Sequence, residues 1–243
     1  MYHLRQGARA VTRSAPAAAR VALVGAGGLG GPLALALASA GQQLVIFDDD
    51  VVEPSNLHRQ LQFTLAEVGQ RKAMALAAAV QRRGGRARAV TERWTPARAD
   101  ADADAHGPCQ LILDGSDDPL TKFAVADWAA ARQLPSVIAG ALGTGGNAFA
   151  SAPGAACFRC LFEQQPAEAA TCAQAGVLGP VVAAVAGLAA QLALRLARGD
   201  RRVAGSIWVL EDLRRPPRQV SVPARSDCGC ARGGPLQTAG AMA

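Results

Sequence analysis

Three groups of side chains in this 243-residue chain could do chemistry. Asn56, Arg59 and Lys72 lie close together in "SNLHRQ" and "VGQRKA", placing an amide and two cations in one polar segment. Such a set suits a polyanion: a triphosphate brings about four negative charges, and charge-assisted contacts from arginine and lysine offset them. A solvated basic helix would account for Lys72 alone; Asn56 and Arg59 in one string argue against it. Asp114, Asp117 and Asp118 end the apolar run "QLIL". A carboxylate at the C-terminal end of a strand in an open sheet can hold a hard cation through oxygen. Turn chemistry before Pro119 is the other reading of the three. Cys157 and Cys160 form "CFRC", and Cys228 and Cys230 form "CGC". Four thiolates from two separated pairs can close a tetrahedral structural zinc site, against the alternative of free or redox-active thiols. Cys109 reads as a small core residue, and His3, His58 and His106 are too dispersed to be assigned chemistry.

The elements that must position these groups begin at "VALVGAG", a short buried strand, followed by a helix over Gly28–Ala40 and a second strand, "LVIFD". Between strand and helix, Gly25, Gly27, Gly28 and Gly30 spell G-x-G-x-x-G. Its glycines allow a tight turn and close approach to phosphate, beside the N–H groups of a helix start. Asp48 follows where an acid would bond a ribose hydroxyl, with Asp50 and Gln60 in the adjoining polar segment. The glycine turn alone does not separate NAD, FAD and ATP. Further on the pattern predicts a helix over "QRKAMALAAAVQRRG", a strand near Ala87–Arg93, a loop over "TPARADADADAHGP", a strand "QLILD", a helix "PLTKFAVADWAAARQ" and a strand "PSVIAGAL". Alternation at this spacing implies βαβ units and a mostly parallel, doubly wound α/β sheet of the Rossmann type. After Gly143 come glycine turns, the first cysteine pair, a long apolar helix and the strand "SIWVLEDL". The expected organisation is an N-terminal arm over 1–20, a nucleotide-binding domain over 21–223 and a cysteine-containing tail over 224–243.

Composition narrows the class. Half of the residues are hydrophobic and only 4% aromatic, and the net charge of +6 comes mostly from scattered arginine. Without a basic run or interleaved aromatics, nucleic-acid binding has little support. The N-terminus lacks an apolar signal core, so the expected address is the cytoplasm. The stretch from Gly176 to Gly199 is the most membrane-like, but Pro180, Gly187, Gln191 and Arg195 interrupt it, and it reads as a buried helix.

From Val21 to Cys230 the chain resembles the MoeB/ThiF/HesA group of adenylating enzymes, relatives of ubiquitin-activating enzymes. The resemblance rests on "GAGGLG", "DDDVVEPSNLHRQ", "VGQRKA", "LILDGSDD", "CFRC", "TCAQAGVLGP" and "DCGC", in that order. It implies that Gly27, Asp48, Asn56, Arg59 and Lys72 bind ATP and that Asp117 holds magnesium. It also implies zinc at the four paired cysteines, although the family usually has two residues between each pair and Cys228 and Cys230 have one. Cys172 matches a cysteine that links covalently to the carrier protein in some members, and a thiol does so only where its surroundings favour thiolate. Arg5 in "YHLRQ" resembles an arginine that reaches the partner subunit's ATP site, where it would meet growing phosphoryl charge. Asp118 and Lys122 depart from the asparagine and arginine common in the family.

The function this implies is ATP-dependent adenylylation of the C-terminal carboxylate of a ubiquitin-like sulfur-carrier protein ending in Gly-Gly, by a homodimer away from any membrane. A separate sulfur donor, such as a cysteine desulfurase or rhodanese, would follow. Other readings are a ThiF-like enzyme acting on a peptide or tRNA carboxylate, a noncatalytic scaffold, and an NAD-dependent oxidoreductase. The last rests only on the glycine turn and Asp48.

Overall fold

The computed structural model describes residues 18–164 and 176–232, so Arg5 and Cys172 lie outside the described residues. Eight strands form one sheet in the order β3-β2-β1-β4-β5-β6-β7-β8. The first five are β1 (Arg20–Val24), β2 (Gln43–Phe47), β3 (Arg86–Val90), β4 (Leu111–Asp114) and β5 (Ser136–Leu142), all parallel to one another. β6 (Gly145–Ser151), β7 (Ser206–Leu210) and β8 (Arg218–Ser221) add three antiparallel pairings at one edge. The order 3-2-1-4-5 is that of the first five strands of a Rossmann sheet, with its crevice at the C-terminal ends of β1 and β4, where the strand order reverses.

Alternation along the strands sorts the core into two layers, because successive side chains leave opposite faces. Val21 and Leu23 of β1, with Leu111 and Leu113 of β4, meet α1 (Gly30–Ser39), α2 (Lys72–Gln81) and α6 (Gly179–Ala197). Ala22, Val24 and Ile112 face the other way, toward α3 (Pro96–His106), α4 (Pro119–Ala131) and the short α5 (Phe158–Leu161). Burial on both faces explains why β4 is apolar throughout until Asp114.

α6 is long and apolar enough to cross a membrane by length and composition, yet half of its most apolar window is buried within the protein. Val181, Val185, Ala189, Leu192 and Leu196 recur at helical spacing and pack on the sheet and α1, as a core helix does.

Three elements depart from the sequence reading. The stretch expected to be a surface loop is α3: Thr95 caps it by accepting from Arg98 N at 3.1 Å, Pro96 opens it, and Gly107 ends it at φ 87°. The glycines read as turns after Gly143 form β6. A Cβ on Gly145 would lie 2.8 Å from the Leu210 carbonyl oxygen, and one on Gly146 would lie 2.6 Å from that of Gly140. Glycine is needed there for close strand approach, not to turn the chain. β8, exposed at all four residues, carries no burial pattern that could announce a strand.

Candidate nucleotide site and cysteine centre

The turn from β1 into α1 is built by glycines with distinct tasks. Gly25 has φ 88°, and a Cβ there would lie 2.9 Å from Ser116 N, so the turn packs directly on the end of β4. Gly30 sits where any side chain would overlap the Gly25 carbonyl oxygen. Asp48, at the end of β2, accepts from Ala26 N at 2.7 Å and Asp50 N at 2.9 Å, fastening the second strand to the turn. Burial pushes the Asp48 carboxyl above its ordinary range, with those two backbone bonds and Lys72 partly opposing the shift. From the opposite side, buried Gln62 donates Nε2 to the carbonyls of Ala26 and Gly27, each at 3.0 Å.

The polar segment after β2 brings the cations to the same place. A 3₁₀ turn over Pro54–Asn56 presents Asn56, whose Oδ1 accepts from an Arg59 guanidinium nitrogen at 2.9 Å and so aims that side chain. Lys72 opens α2 with its side chain only 9% exposed and its Nζ 2.8 Å from Asp50 Oδ2. Asp50 is itself largely open to solvent, so this pair is screened on one side. Gln60 is buried, and its Oε1 has no partner among the described residues. A buried amide oxygen left unpaired in a cavity wall is a contact waiting for a donor.

The three acids beyond β4 separate into different roles. Asp114 is wholly buried and pairs with Lys122 Nζ at 2.7 Å; burial pushes its carboxyl up, and the ammonium and the Ser116 hydroxyl only partly counter this. Asp118 caps α4, accepting from Leu120 N and Thr121 N at 3.2 Å each, and pairs with Arg93 at 2.8 Å. This is the turn chemistry that the sequence reading weighed as an alternative. Asp117 is exposed, and its carboxylate has no hydrogen-bond or ion-pair partner among the described residues. Its donor set suits a hard cation such as magnesium.

These groups face one cavity of about 870 Å³. Its lining includes Gly25, Gly27, Gly28, Asp48, Asp50, Asn56, Arg59, Gln60, Lys72 and Asp117. Gly30 is absent from that wall, because it serves the packing of α1 against the turn. The structure adds Arg93, Trp94, Lys122 and Asn147, which sequence reasoning did not select as site residues. "TERW" follows the C-terminal end of β3 beside the crevice, a position that could have flagged the first two.

At the other end of the sheet, Cys157 at the start of α5 and Cys160 within it meet Cys228 and Cys230. Their sulfur atoms all lie within 4.8 Å of one another, with Cys157–Cys228 at 3.5 Å, Cys160–Cys230 at 3.4 Å and Cys157–Cys160 at 3.9 Å. Those spacings exceed a disulfide bond. They approach the edge of about 3.8 Å that a tetrahedron with metal–sulfur bonds near 2.3 Å requires. A single intervening glycine therefore suffices in "CGC", aided by the 3₁₀ turn at Gly229–Arg232. Burial pushes the Cys157 thiol up, and burial together with the Cys160 and Cys228 sulfurs raises that of Cys230 to about 11. A bound cation would displace those protons. Arg225 N donates to the Cys160 sulfur at 3.4 Å, and the Arg159 guanidinium grips Asp127 of α4 at 2.8 and 3.1 Å, so neighbouring groups fix the cluster on both sides.

Several known proteins are similar to this chain. The sulfur carrier protein ThiS adenylyltransferase of Escherichia coli K12 is 32% identical over 219 residues, covering 86% of this chain and 84% of that protein. The adenylyltransferase and sulfurtransferase MOCS3 of Sus scrofa is 36% identical over 230 residues, but this chain spans only 50% of its length. Against the corresponding uba4 protein of Aspergillus niger the identity is 34% over 194 residues, and the chain spans 40% of that protein. Among solved structures, Escherichia coli MccB with ATP has the same fold at a TM-score of 0.74 and 16% identity, over 89% of this chain and 68% of the other. The ThiF family pattern matches residues 12–230, and the chain belongs to the ThiF family.

Proposed function

We propose that the protein uses ATP to adenylate the C-terminal glycine carboxylate of a small ubiquitin-like sulfur-carrier protein. The observation that carries this reading is the convergence of the glycine turn, Asp48, Arg59, Lys72 and Asp117 on one cavity. The similarity to a sulfur carrier protein adenylyltransferase supports the choice of substrate class. In the proposed reaction a carboxylate oxygen of the carrier attacks the α-phosphorus of ATP, the bond to pyrophosphate breaks, and the acyl-adenylate remains. The backbone of Gly27 and Gly28 approaches the phosphates and Asp48 accepts from the ribose. Arg59, aimed by Asn56, and Lys72 offset the charge that moves toward the leaving group. Gln60 orients the ligand through its unpaired oxygen. Asp117 holds magnesium, which when bound neutralises phosphate charge. The chain's contribution is positioning and electrostatic stabilisation more than proton transfer.

The four cysteines hold zinc in this reading and fasten the tail to α5, away from the reacting atoms. In the same proposal Arg5 serves a second subunit's site in a homodimer. The acyl-adenylate takes sulfur from a separate protein either directly, with loss of AMP, or after the Cys172 thiol has displaced AMP to form a thioester. The test is ATP–pyrophosphate exchange with magnesium, with and without a Gly-Gly-ended carrier from the same organism. Carrier-dependent exchange is expected, falling at least about 100-fold in Asp117→Ala. Exchange stimulated by a peptide or tRNA and not by any carrier would overturn the substrate assignment.

A further inference from the structure

We infer that Lys122 is a positioning residue that fixes the Asp117 carboxylate for its cation, an inference that rests on the nucleotide reading above. An ammonium has three donors, and the Nζ of Lys122 has three partners: Asp114 Oδ1 at 2.7 Å, Ser116 O at 2.6 Å and Ala139 O at 2.6 Å. All its protons are committed inside the protein, although the side chain borders the cavity. It is therefore not a spare cation for phosphate, as Arg59 and Lys72 are in the proposed reaction.

The second of those partners sets the role. Ser116 O belongs to the peptide that joins Ser116 to Asp117, so holding this oxygen fixes the plane from which Asp117 departs. The Ser116 side chain is held as well, its hydroxyl donating to Asp114 at 3.0 and 3.1 Å. Gly115 N donates to Val24 O at 2.9 Å, tying the turn to β1. On the far side of Asp117, the Asp118 carboxylate caps α4. The chain is thus fastened immediately before and after Asp117, while the Asp117 carboxylate is left to the cavity.

A buried ion pair gives little net stability over an apolar pair of the same size, because both charges must be desolvated. What an apolar side chain could not do is join three segments at one atom: the end of β4, the turn and β5. A carboxylate that must meet a cation needs its position held to about half an ångström, and its supporting shell supplies that.

The test compares wild type, Asp117→Ala, Lys122→Met and the neutral double variant Asp114→Asn/Lys122→Met, which leaves no unpaired buried charge. Full-length protein saturated with nonhydrolysable ATP analogue is titrated with manganese, and metal bound in the ternary complex is read by electron paramagnetic resonance. Binding of the analogue in chelator and thermal unfolding are followed in parallel. The expected result for the double variant is analogue binding in chelator within twofold of wild type, with half-saturating manganese raised at least tenfold, approaching Asp117→Ala. Unchanged manganese affinity, whether or not the melting temperature falls, would reduce Lys122 to a structural role and overturn the inference. A tenfold loss of analogue binding in chelator would also overturn it, by showing contact with phosphate. The adenylation reading fails separately, if wild type binds nucleotide and manganese yet no carrier stimulates exchange. Wild type that takes up no nucleotide overturns both.

Discussion

At one end of the sheet five parallel strands lie between helices on both faces, and at the other end three antiparallel strands finish in β8, exposed along its whole length. The parallel end orders itself by burial: Leu23, Ile46, Ile112 and Leu113 are essentially inaccessible, each removing apolar surface from water. The antiparallel end has less to bury. Its last strand is flanked by Pro217 and Pro223, and its tail returns to α5 through four sulfur atoms. Irregular segments with little apolar surface need such a crosslink to hold a single position. The cavity thus lies where hydrophobic packing already fixes geometry, while the four cysteines gather where packing is sparse and a metal held by them would supply order.

That contrast can be broken by experiment. Cys157→Ser has the largest expected effect, since structural zinc contributes on the order of 10 kcal/mol to small zinc-dependent folds. Bound zinc should drop from one per chain to none by metal analysis, amide exchange should rise in β8 and the tail, and ATP affinity should stay within about threefold. Loss of ATP binding together with zinc would show that the two ends are not separable. Gly30→Ala attacks the other end, where a methyl group would overlap the Gly25 carbonyl. A loss of about 3 kcal/mol in urea unfolding is expected, at the upper end of overpacking costs. Gly187→Ala in α6 meets nothing within 4 Å, and should instead gain about 0.5–1 kcal/mol. Lys72→Met should weaken ATP roughly 10- to 100-fold by calorimetry, the range for a lost charge-assisted bond. Its melting temperature should change little because Asp50 is solvated.

The smallest effect belongs to the turn before β7. Hydrogen bonds from Arg202 and Arg195 hold Asp200 well below the usual carboxylate range. A depressed folded-state value contributes stability above the unfolded pKa of about 3.9, and that contribution is lost as pH falls through the folded value. Asp200→Asn should therefore leave the acid limb of a stability profile slightly flatter below pH 4, measured by urea midpoints. An unchanged limb would show that this exposed cluster is fully screened.

The nucleotide end was the more legible in sequence, and the reason is local. The glycine spacing, "LVIFD" and "SNLHRQ" each carry a requirement within a few residues, and the parallel strands show as apolar runs because both faces are covered. α3 was hidden because alternating alanine and aspartate give no 3.6-residue apolar stripe, and its fixed points are a cap and an ion-paired Asp102. β6 was hidden because glycine signals turns and close strand contact alike. Gln62 was missed because its partners are backbone carbonyls about 35 residues back in the chain. The Asp114–Lys122 pair was missed because its eight-residue separation crosses from a strand end into a helix and matches no helix or strand period. Spacing alone cannot report such contacts, whereas the paired cysteines carried their own signal even with the shortened second pair.

The contact between the glycine turn and α6 also bears on when the site comes into being. A Cβ on Gly28 would lie 3.0 Å from Val182 and 3.4 Å from the Arg59 carbonyl, and one on Gly179 would lie 3.2 Å from that of His58. The wall of the cavity is therefore shared by segments about 150 residues apart. At 5–20 residues per second a ribosome needs roughly 8 to 30 s to travel from one to the other. Through that interval the nascent chain holds its glycine turn without the helix that closes over it, and nucleotide can help folding only after α6 has emerged.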